Sequence, residues 1–570
     1  MKSFTPTVLM NKPWTVLLFI VATVSATVFT MATALSVADF LQMLFPAAGA
    51  STTALKVSTP VEQMITALYA KLISFGPTKA LVLYALLLIF LYGAKNICSY
   101  VAAVAFARVK VHSLREIRNR VHRAALRQDF KRWTSQAQGQ WLSLMSNDMA
   151  EYEANVLDSV QLLVQSLLTM LLYIAMLLYL DWRMTLLVVL VMGIGAALLS
   201  VSRKLKRQSR QLQSLNGDLM VTTQETIESL KEIKAATAID YVNERHSNQN
   251  TQFTKKRISL YRRIYAASPI SDFVGNVIVV SILVIGAGAV LGSESTMSPA
   301  LFVSYLMIYV LLLSPIKDLS NSIAQFKKGK GVEERIVAAL TESDNAYAES
   351  AVKVDKSAQI ELKGVCFSYG DKRILDHLSL AVPEGCHTAI VGDSGVGKST
   401  LGRLIVGLLE HEDGEILIGG NPTTAAQRRG CIAYIPQEPM LFNDTMEANI
   451  RFGREDLTRE DIEEAVHIAQ LDGVLEQLPE GILANIGEGG SRLSGGERQR
   501  VSIARALVGK SDVIVMDEAT AALDASTEDN FIRLVRNQLI GKTLLIIAHR
   551  ASTIAHCDHV FSMATKGFVR

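Results

Sequence analysis

The sequence predicts two parts of different character, a membrane domain made of α-helices and a soluble α/β domain that follows it. A chain of 570 residues is longer than one hydrophobic core usually supports. Hydrophobic residues make up 49% of the chain and charged residues only 19%, which is unusual for a fully soluble protein. Long apolar stretches precede residue 330, whereas short β-like runs and glycine-rich loops follow residue 356. We therefore predict a membrane domain over residues 1–330, a linker over 331–356 and an α/β domain over 357–570.

The apolar stretches of the first part predict six transmembrane helices. They cover residues 14–35, 78–107, 156–180, 184–201, 266–291 and 299–326. A helix needs about 20 apolar residues to cross the hydrocarbon layer, and each stretch supplies about that number. The first stretch is longer than the apolar core of a signal peptide and lacks a clear cleavage site, so we expect it to be retained.

Arginine and lysine are concentrated in two of the connections, residues 108–132 and 203–263. Because basic loops stay on the cytoplasmic side, this bias places both long loops, both termini and the soluble domain in the cytoplasm. Helical periodicity continues through these loops, so the membrane helices should extend well into the cytosol. The formal net charge is only +3, so no nucleic-acid partner is predicted.

A phosphate-binding loop opens the second part. The segment "TAIVGDSGVGKST" has the spacing Gly392-x-x-x-x-Gly397-Lys398-Ser399 between a strand-like and a helix-like run. Backbone N–H groups of such a loop point at phosphate oxygens, the lysine reaches the β- and γ-phosphates, and the hydroxyl ligates Mg²⁺. The residues expected to bind ATP here are Gly392, Asp393, Ser394, Gly395, Val396, Gly397, Lys398, Ser399 and Thr400.

Two acidic residues end the apolar run "DVIVMDEAT". Asp517, at the end of the predicted strand, is the expected Mg²⁺ partner, usually through water. Glu518 would then stand beside the γ-phosphate, where a carboxylate can polarise an attacking water. Together with the phosphate-binding loop, this pair predicts an enzyme that hydrolyses ATP.

A second unit of phosphate-binding composition, "LSGGERQR", lies almost a hundred residues after the first. Ser494, Gly495, Gly496 and Glu497 precede or open a predicted helix, which is where anions bind. The first loop already satisfies its own phosphates. We therefore expect the second unit to serve the ATP of another molecule.

The order of these motifs resembles that of the ATP-binding cassette (ABC) transporters over essentially the whole chain. The resemblance implies that Tyr369 stacks on adenine, that Asp524 lies in the D-loop and that His549 contacts the γ-phosphate. It also implies that Gln437 touches Mg²⁺ or water and senses the membrane domain. In this family two ATPase domains meet head to tail, which makes a second half-transporter chain the expected partner. No motif is degenerate, so a homodimer is favoured over an asymmetric pair.

The same resemblance implies coupling helices near residues 127–134 and 226–232, the second docking on the opposite chain close to Glu488. ATP drives a conformational cycle only through different affinities for two states. The expected cycle alternates between inward-facing and outward-facing states.

Ionisable residues inside membrane helices are candidates for substrate contact. Four lie in the predicted helices: Lys95, Asp272, Lys317 and Asp318. Interhelical pairing or snorkelling explains them equally well. Lys95 and Lys317 resemble two positions of the bacterial lipid A flippases, where basic residues contact lipid phosphates, although Ser314 and Gln165 replace other basic positions of that set. The resemblance implies a lipid or another amphipathic compound as substrate.

Three functions remain open from the sequence. The first is an exporter or flippase of a lipid or an amphipathic compound, including drugs. The second is an importer on the same scaffold, such as a siderophore transporter, because no residue sets the direction. The third is a nucleotide-gated channel or regulatory subunit, against which the intact Glu518 and His549 argue. A half-size chain without an organellar leader indicates the bacterial inner membrane, with an organellar half-transporter as the alternative.

Overall fold

The computed structural model describes residues 12–44, 77–133, 135–186, 202–291, 299–343, 359–518, 532–533, 536–537, 539–548 and 550–569. It contains two compact units. The membrane unit comprises Met1–Asn119 and Leu144–Val337, and the ATPase unit comprises Arg120–Ser143 and Ala338–Arg570. The segment Arg120–Ser143 therefore belongs to the ATPase unit although it precedes most of the membrane unit in sequence.

The first 343 residues form long helices. Their bounds are α1 Pro13–Leu44, α2 Pro77–Leu126, α3 Ser135–Ser143, α4 Met149–Tyr152, α5 Asp158–Leu180, α6 Ser202–Glu228, α7 Leu230–Ala235, α8 Ile239–Leu291 and α9 Pro299–Ser343, with π-helical turns at Leu144–Asp148 and Glu153–Leu157 and a 3₁₀ turn at Phe130–Arg132. Within the described residues, four stretches are long and apolar enough to cross a membrane: Pro13–Val37, Thr78–Leu126, Gln138–Leu180 and Leu301–Thr341.

Two of the six predicted spans are less fully represented. Of the stretch 184–201, only residues 184–186 are described, and they are helical. The stretch 266–291 lies within α8, and its run Gly275–Val284 is an apolar helical segment among the residues whose side chains are described. The count of six transmembrane helices therefore stays a prediction.

The helices are much longer than a membrane requires. Helix α2 has 50 residues and α8 has 53. At 1.5 Å per residue α2 is about 75 Å long, against a hydrocarbon layer of about 30 Å. This length agrees with the predicted extension beyond the bilayer. Helix α9 continues to Ser343, so residues 331–343, which lie in the predicted linker, are helical. Residues 344–356 lie outside the described part.

Large buried side chains fix the membrane helices to one another. Tyr305 and Ile308 of α9 are fully buried together with Leu177 of α5 and Ile278 of α8. The Tyr305 hydroxyl lies 3.1 Å from Thr185 Oγ1, which satisfies a polar group in an otherwise apolar contact. This packing holds helices of three separate sequence regions together.

The ATPase unit contains two sheets. Its strands are β1 Ile360–Tyr369, β2 Lys372–Val382, β3 His387–Val391, β4 Asp413–Ile418, β5 Asn421–Pro422, β6 Ile432–Ile435, β7 Val513–Asp517, β8 Thr543–Ile547, β9 His559–Ser562 and β10 Gly567–Phe568. One sheet has the order β10-β9-β3-β8-β7-β6, with all pairs parallel except β9–β10. The other is antiparallel, with the order β2-β1-β4-β5.

The helices of the ATPase unit cover these sheets. They are α10 Lys398–Val406, α11 Ala425–Cys431, α12 Met446–Arg451, α13 Arg459–Ile468, α14 Asp472–Gln477, α15 Gly495–Leu507 and α16 Ala551–Ala555, with 3₁₀ turns at Gly481–Leu483 and Glu488–Gly490. Leu401 and Leu404 of α10 are fully buried in the same apolar cluster as Val515 and Ile547 of the parallel sheet. Because parallel strands end at one edge, the segments after β3, β6 and β7 meet there.

Gly407, which ends α10, should tolerate no side chain. Its φ is +83°, and a Cβ would overlap the carbonyl oxygen of Ala425. We expect Gly407→Ala to destabilise the ATPase unit by about 2 kcal/mol or more. Thermal unfolding of the purified chain should show a lower midpoint.

Gly430→Ala is the matched control, because a Cβ at Gly430 meets no atom within 4 Å and the residue lies in helix α11. There alanine should leave stability unchanged or raise it by up to ~1 kcal/mol. Equal midpoints for the two variants would contradict the steric argument.

Candidate nucleotide-binding and hydrolysis site

The phosphate-binding loop joins β3 to α10 at the edge where the parallel strands end. Gly392, Gly395 and Gly397 all have positive φ angles. At Gly397 (φ +103°) a Cβ would lie 2.7 Å from Ile374 Cγ2, so only glycine fits. Helix α10 begins at the next residue, and the unpaired N–H groups and the positive dipole end of a helix favour a bound phosphate.

Lys398 and Ser399 connect this loop to its surroundings. Lys398 is only 5% exposed, and its Nζ donates to the carbonyl oxygens of Gly392 at 2.8 Å and Asp393 at 2.9 Å. Ser399 Oγ donates to Asp517 Oδ1 at 2.9 Å, across 118 residues of sequence. The fold thus brings together two of the three residues predicted to hold Mg²⁺, the third being Gln437.

Asp517 has a second partner that the sequence analysis did not identify. Tyr434, in β6 beside β7, donates its hydroxyl to Asp517 Oδ2 at 3.1 Å. Burial, reinforced by the Asp517 charge, raises the pKa of Tyr434 to about 12. The phenol therefore stays protonated at neutral pH and acts as a donor. Pairing of β6 with β7 predicts this neighbour only once the strand order is known.

Glu518 follows β7 in a strained backbone conformation. Its φ is +49°, and its N–H donates to the Ile547 carbonyl oxygen at 3.2 Å. A left-handed conformation for a side chain other than glycine costs about 1–3 kcal/mol and is concentrated at functional sites. Gln437, in the segment after β6, donates from Nε2 to Glu518 Oε2 at 2.7 Å. The predicted catalytic carboxylate and the predicted sensor glutamine are in direct contact.

The "LSGGERQR" segment forms the start of a well-built helix. Ser494 caps α15 reciprocally with Glu497: Glu497 N–H donates to Ser494 Oγ at 3.4 Å, and Ser494 N–H donates to Glu497 Oε2 at 2.8 Å. Ser494 is exposed, whereas Val501 further along the helix is fully buried. The start of the helix is therefore accessible at Ser494, and Gly495 and Gly496 are half-buried.

Tyr369 and Phe367 form an aromatic pair at the end of β1. Tyr369 is 37% exposed and packs edge-on against the buried Phe367, with ring centroids 4.9 Å apart. An exposed aromatic face held by a buried ring suits stacking on a planar base. Arg403 of α10 interacts electrostatically with the hydroxyl groups of Tyr369 and Tyr434. Burial alone would lower the pKa of Arg403, but these contacts raise it above its ordinary value.

The segment Arg120–Ser143 contacts this aromatic pair and the charged residues beside it. The Arg403 guanidinium carbon lies 5.7 Å from the centre of the Phe130 ring. Lys131 Nζ lies 3.5 Å from Glu412 Oε1 and 5.1 Å from the centre of the Phe367 ring. Phe130 and Lys131 of the predicted coupling segment 127–134 thus contact residues of the ATPase domain.

Several other residues predicted from the sequence are not described by the structure or make no contact with this site. Asp524 and His549 lie outside the described residues, as does the side chain of Asp272. In the second predicted coupling segment, Ile227 is 69% and Leu230 48% exposed.

Lys95 in α2 and Lys317 in α9 are both half-buried. Asp318 accepts a hydrogen bond from Ser314 at 3.2 Å, the local pairing expected of a structural role.

Two sequence families match the chain: the ABC transporter transmembrane region over residues 16–316, and the ABC transporter family over residues 375–521. The chain is 30% identical over 484 residues to the ATP-dependent lipid A-core flippase of Desulfotalea psychrophila, covering 83% of this chain and 84% of the relative. It is 29% identical over 481 residues to the flippase of the same name from Syntrophus aciditrophicus, covering 83% and 80%. The structure of a bacterial Atm1-family ABC exporter with ATP bound superposes with a TM-score of 0.75 at 20% identity, covering 97% of this chain and 94% of that chain.

The chain belongs to the ABC transporter family. It is a membrane protein with the ABC exporter fold, in which a transmembrane domain is joined to an ABC nucleotide-binding domain, and this confirms the predicted fold class. It binds ATP and couples ATP hydrolysis to transport. Its half-transporter organisation implies dimerisation.

Proposed function

We propose that the chain is a homodimeric exporter that moves a phosphorylated lipid across the bacterial inner membrane, with its ATPase domain and both termini in the cytoplasm. The observation that carries the ATPase part is the meeting of the phosphate-binding loop, Asp517 and Glu518 at one edge of a sheet. The names of the relatives support a lipid as substrate and export as direction. An importer of the same fold has no such support.

The oxygen donors of the site suit Mg²⁺. Hard oxygen ligands from a hydroxyl, a carboxylate and an amide are what this ion prefers. Ser399, Asp517 and Gln437 would hold it, the first two being 2.9 Å apart. When bound, Mg²⁺ neutralises charge on the β- and γ-phosphate oxygens.

Phosphate binding and proton transfer are carried out by residues of the chain itself. Lys398 exchanges its loop carbonyl partners for phosphate oxygens, and the N–H groups at the start of α10 bind the same anion. Glu518 accepts a proton from the attacking water, and Gln437 holds the carboxylate that does so. By resemblance, His549 contacts the γ-phosphate and Asp524 lies in the D-loop.

Ser494, Gly495 and Gly496 complete the site from the partner chain. A γ-phosphate bound by the loop of one chain and by this exposed helix start of the other stabilises the closed dimer. Hydrolysis removes the shared ligand and lets the domains separate, so ATP favours one state over the other. This cycle requires ATP hydrolysis and therefore Glu518, whereas a nucleotide-gated channel does not.

A lipid with phosphate groups should stimulate the ATPase. We expect hydrolysis by the reconstituted chain to rise several-fold with lipid A or another phosphorylated lipid. Siderophores and neutral lipids should have no effect. Lys95 and Lys317 supply the positive charge in the proposed path. The double variant Lys95→Ala/Lys317→Ala should therefore weaken half-maximal stimulation by at least about tenfold, the equivalent of losing one or both charge-assisted contacts.

Lys79→Ala is the control, because Lys79 is an exposed lysine of the same helix α2. Its lipid response should equal that of the wild type. An unstimulated ATPase across phosphorylated lipids, or a wild-type response of the double variant, would remove the lipid assignment.

A further inference from the structure

A bulge in the pairing of β1 with β2 brings three side chains of metal-binding type together. The register shifts between Val365 and Phe367, so that Cys366 of β1 faces two residues of β2, Asp376 and His377. Such a β-bulge re-aims side chains and is found more often than expected beside functional sites. His377 has a φ of +47°, a conformation that few residues other than glycine adopt. A thiol, a carboxylate and an imidazole thus meet at the bulge.

The separations of these groups are those of a metal site. One ligand atom from each of Cys366, Asp376 and His377 lies within 4.8 Å of the other two. Cys366 Sγ and His377 Nδ1 are 3.6 Å apart. A tetrahedral Zn²⁺, with bonds of about 2.3 Å to sulfur and about 2.0 Å to nitrogen, holds two such atoms about 3.5 Å apart. The thiol and the imidazole therefore need almost no movement to bind the same ion.

The backbone around Cys366 holds its sulfur in place before any ion binds. The residue is only 1% exposed, and its carbonyl oxygen accepts a hydrogen bond from the Glu412 N–H at 2.9 Å. On the side of β2, the His377 N–H donates to Cys366 Sγ at 3.3 Å. A hydrogen bond donated to sulfur favours the thiolate, which is the form that binds a metal. The buried ligand is therefore both fixed and prepared for coordination.

The site opens to solvent on the side of Asp376 and His377, which are both exposed. An ion can enter from there, and water can take a fourth position, as in other sites with three protein ligands. Arg373 Nε lies 3.1 Å from Asp376 Oδ1, so this guanidinium competes with a metal for the carboxylate. The Arg373 side chain is 52% exposed, and an exposed ion pair of this kind is weak enough to separate.

The ligand set favours zinc over the hard divalent cations. Thiolate and imidazole are the common ligands of Zn²⁺, and a carboxylate completes such sites. Mg²⁺ and Ca²⁺ take oxygen ligands instead. The cluster therefore differs in kind from the nucleotide site, whose metal donors are all oxygen atoms.

We propose that Cys366, Asp376 and His377 form a zinc-binding site that joins β1 to β2 at the bulge, with water as the fourth ligand. On binding, Zn²⁺ takes the place of the thiol proton, which leaves to solvent. The site goes beyond ATP-driven transport, because none of its three residues takes part in the proposed hydrolysis. Its bound ion stabilises the folded ATPase unit by mass action.

The test is a zinc titration of the full-length, chelator-treated chain without nucleotide, in excess Mg²⁺ so that sites made of oxygen atoms do not contribute. We expect one Zn²⁺ per chain and a higher thermal unfolding midpoint with zinc. His377→Asn should weaken binding by at least about tenfold, since even a supporting residue of a metal site is worth about 10- to 100-fold. Asparagine also accepts the left-handed backbone, so the bulge should persist. Arg373→Gln should tighten binding by about two- to fivefold, because the competing cation is removed.

His467→Asn is the matched control. His467 is an exposed histidine 3.1 Å from Asp472, a pair that belongs to no three-ligand group among the described residues. Its substitution should leave the zinc stoichiometry and affinity unchanged, which separates the proposed site from general binding by surface histidines.

Cobalt identifies the sulfur ligand. Co²⁺ bound in place of Zn²⁺ should give thiolate-to-cobalt charge-transfer absorption, and Cys366→Ser should abolish it while changing the side-chain volume little. No zinc binding by the wild type at micromolar concentrations, equal affinities of the wild type and His377→Asn, or an unchanged cobalt spectrum in Cys366→Ser would overturn the proposal. If Cys366→Ser does not fold, the exposed substitutions His377→Asn and Asp376→Asn decide the question. The titration uses neither ATP nor lipid, so a failure of the ATPase or lipid assignment leaves its result unchanged.

Discussion

Glu518→Gln should lower steady-state ATP hydrolysis by about 10²- to 10⁴-fold while leaving ATP binding intact. Glutamine has the shape of glutamate, and its carbonyl oxygen can still accept the 2.7 Å hydrogen bond from Gln437 Nε2. What it loses is the ability to accept a proton from the attacking water. Because the strained backbone at residue 518 is unchanged, the fold should tolerate the substitution.

The measurement is phosphate release together with equilibrium ATP binding on the same preparation. The variant should also accumulate an ATP-bound dimer, since the shared γ-phosphate is no longer removed. Glu384→Gln changes an exposed glutamate in the turn after β2 and should hydrolyse ATP like the wild type. Undiminished hydrolysis by Glu518→Gln would falsify the assignment of the general base.

Lys398→Ala and Gly495→Asp should each abolish hydrolysis when every chain of the dimer carries the substitution. Lys398→Ala removes the positive charge at the phosphates. Gly495→Asp acts differently, because a Cβ at Gly495 would meet only Arg498 Nη2, at 4.0 Å, and the chain itself has room for it. The loss should arise from a carboxylate placed against the partner's γ-phosphate, and hydrolysis should fall by at least about 10²-fold.

Thermal unfolding and ATP binding separate these two effects from misfolding. Gly495→Asp should unfold at the wild-type temperature and should still bind ATP on its own loop. Gly473→Asp is the matched control, because Gly473 is exposed in helix α14 and a Cβ there meets no atom within 4 Å. A normally active Gly495→Asp dimer would refute a role for this segment at the phosphate.

The motifs of the ATPase domain were predictable because each depends on local spacing. The glycines and Lys398 form one loop, and an apolar strand ending in Asp517 and Glu518 has few alternative folds. The loop and these two acidic residues lie close together because the carboxyl ends of parallel strands meet at one edge of the sheet. The capping pair of Ser494 and Glu497 likewise lies within four residues.

The contacts of Arg403, Tyr434 and Phe130 could not be predicted in this way. They join residues far apart in the chain, and they depend on β6 pairing with β7 and on the packing of the segment Arg120–Ser143 within the ATPase unit. None of the three side chains belongs to a motif with its own spacing. The helical conformation of residues 331–343, which lie in the predicted linker, was not predicted either, since polarity alone does not distinguish a solvated helix from a loop.

The central claim is that "LSGGERQR" of one chain completes the ATP site of the other, and mixed dimers test it most directly. Two differently tagged chains allow a dimer with Lys398→Ala in one chain and Gly495→Asp in the other to be purified and compared with a dimer that carries both substitutions in one chain. If the halves come from different chains, the first dimer retains one intact site and hydrolyses ATP, whereas the second has none and is inactive. Activity of the second dimer and inactivity of the first would contradict the account.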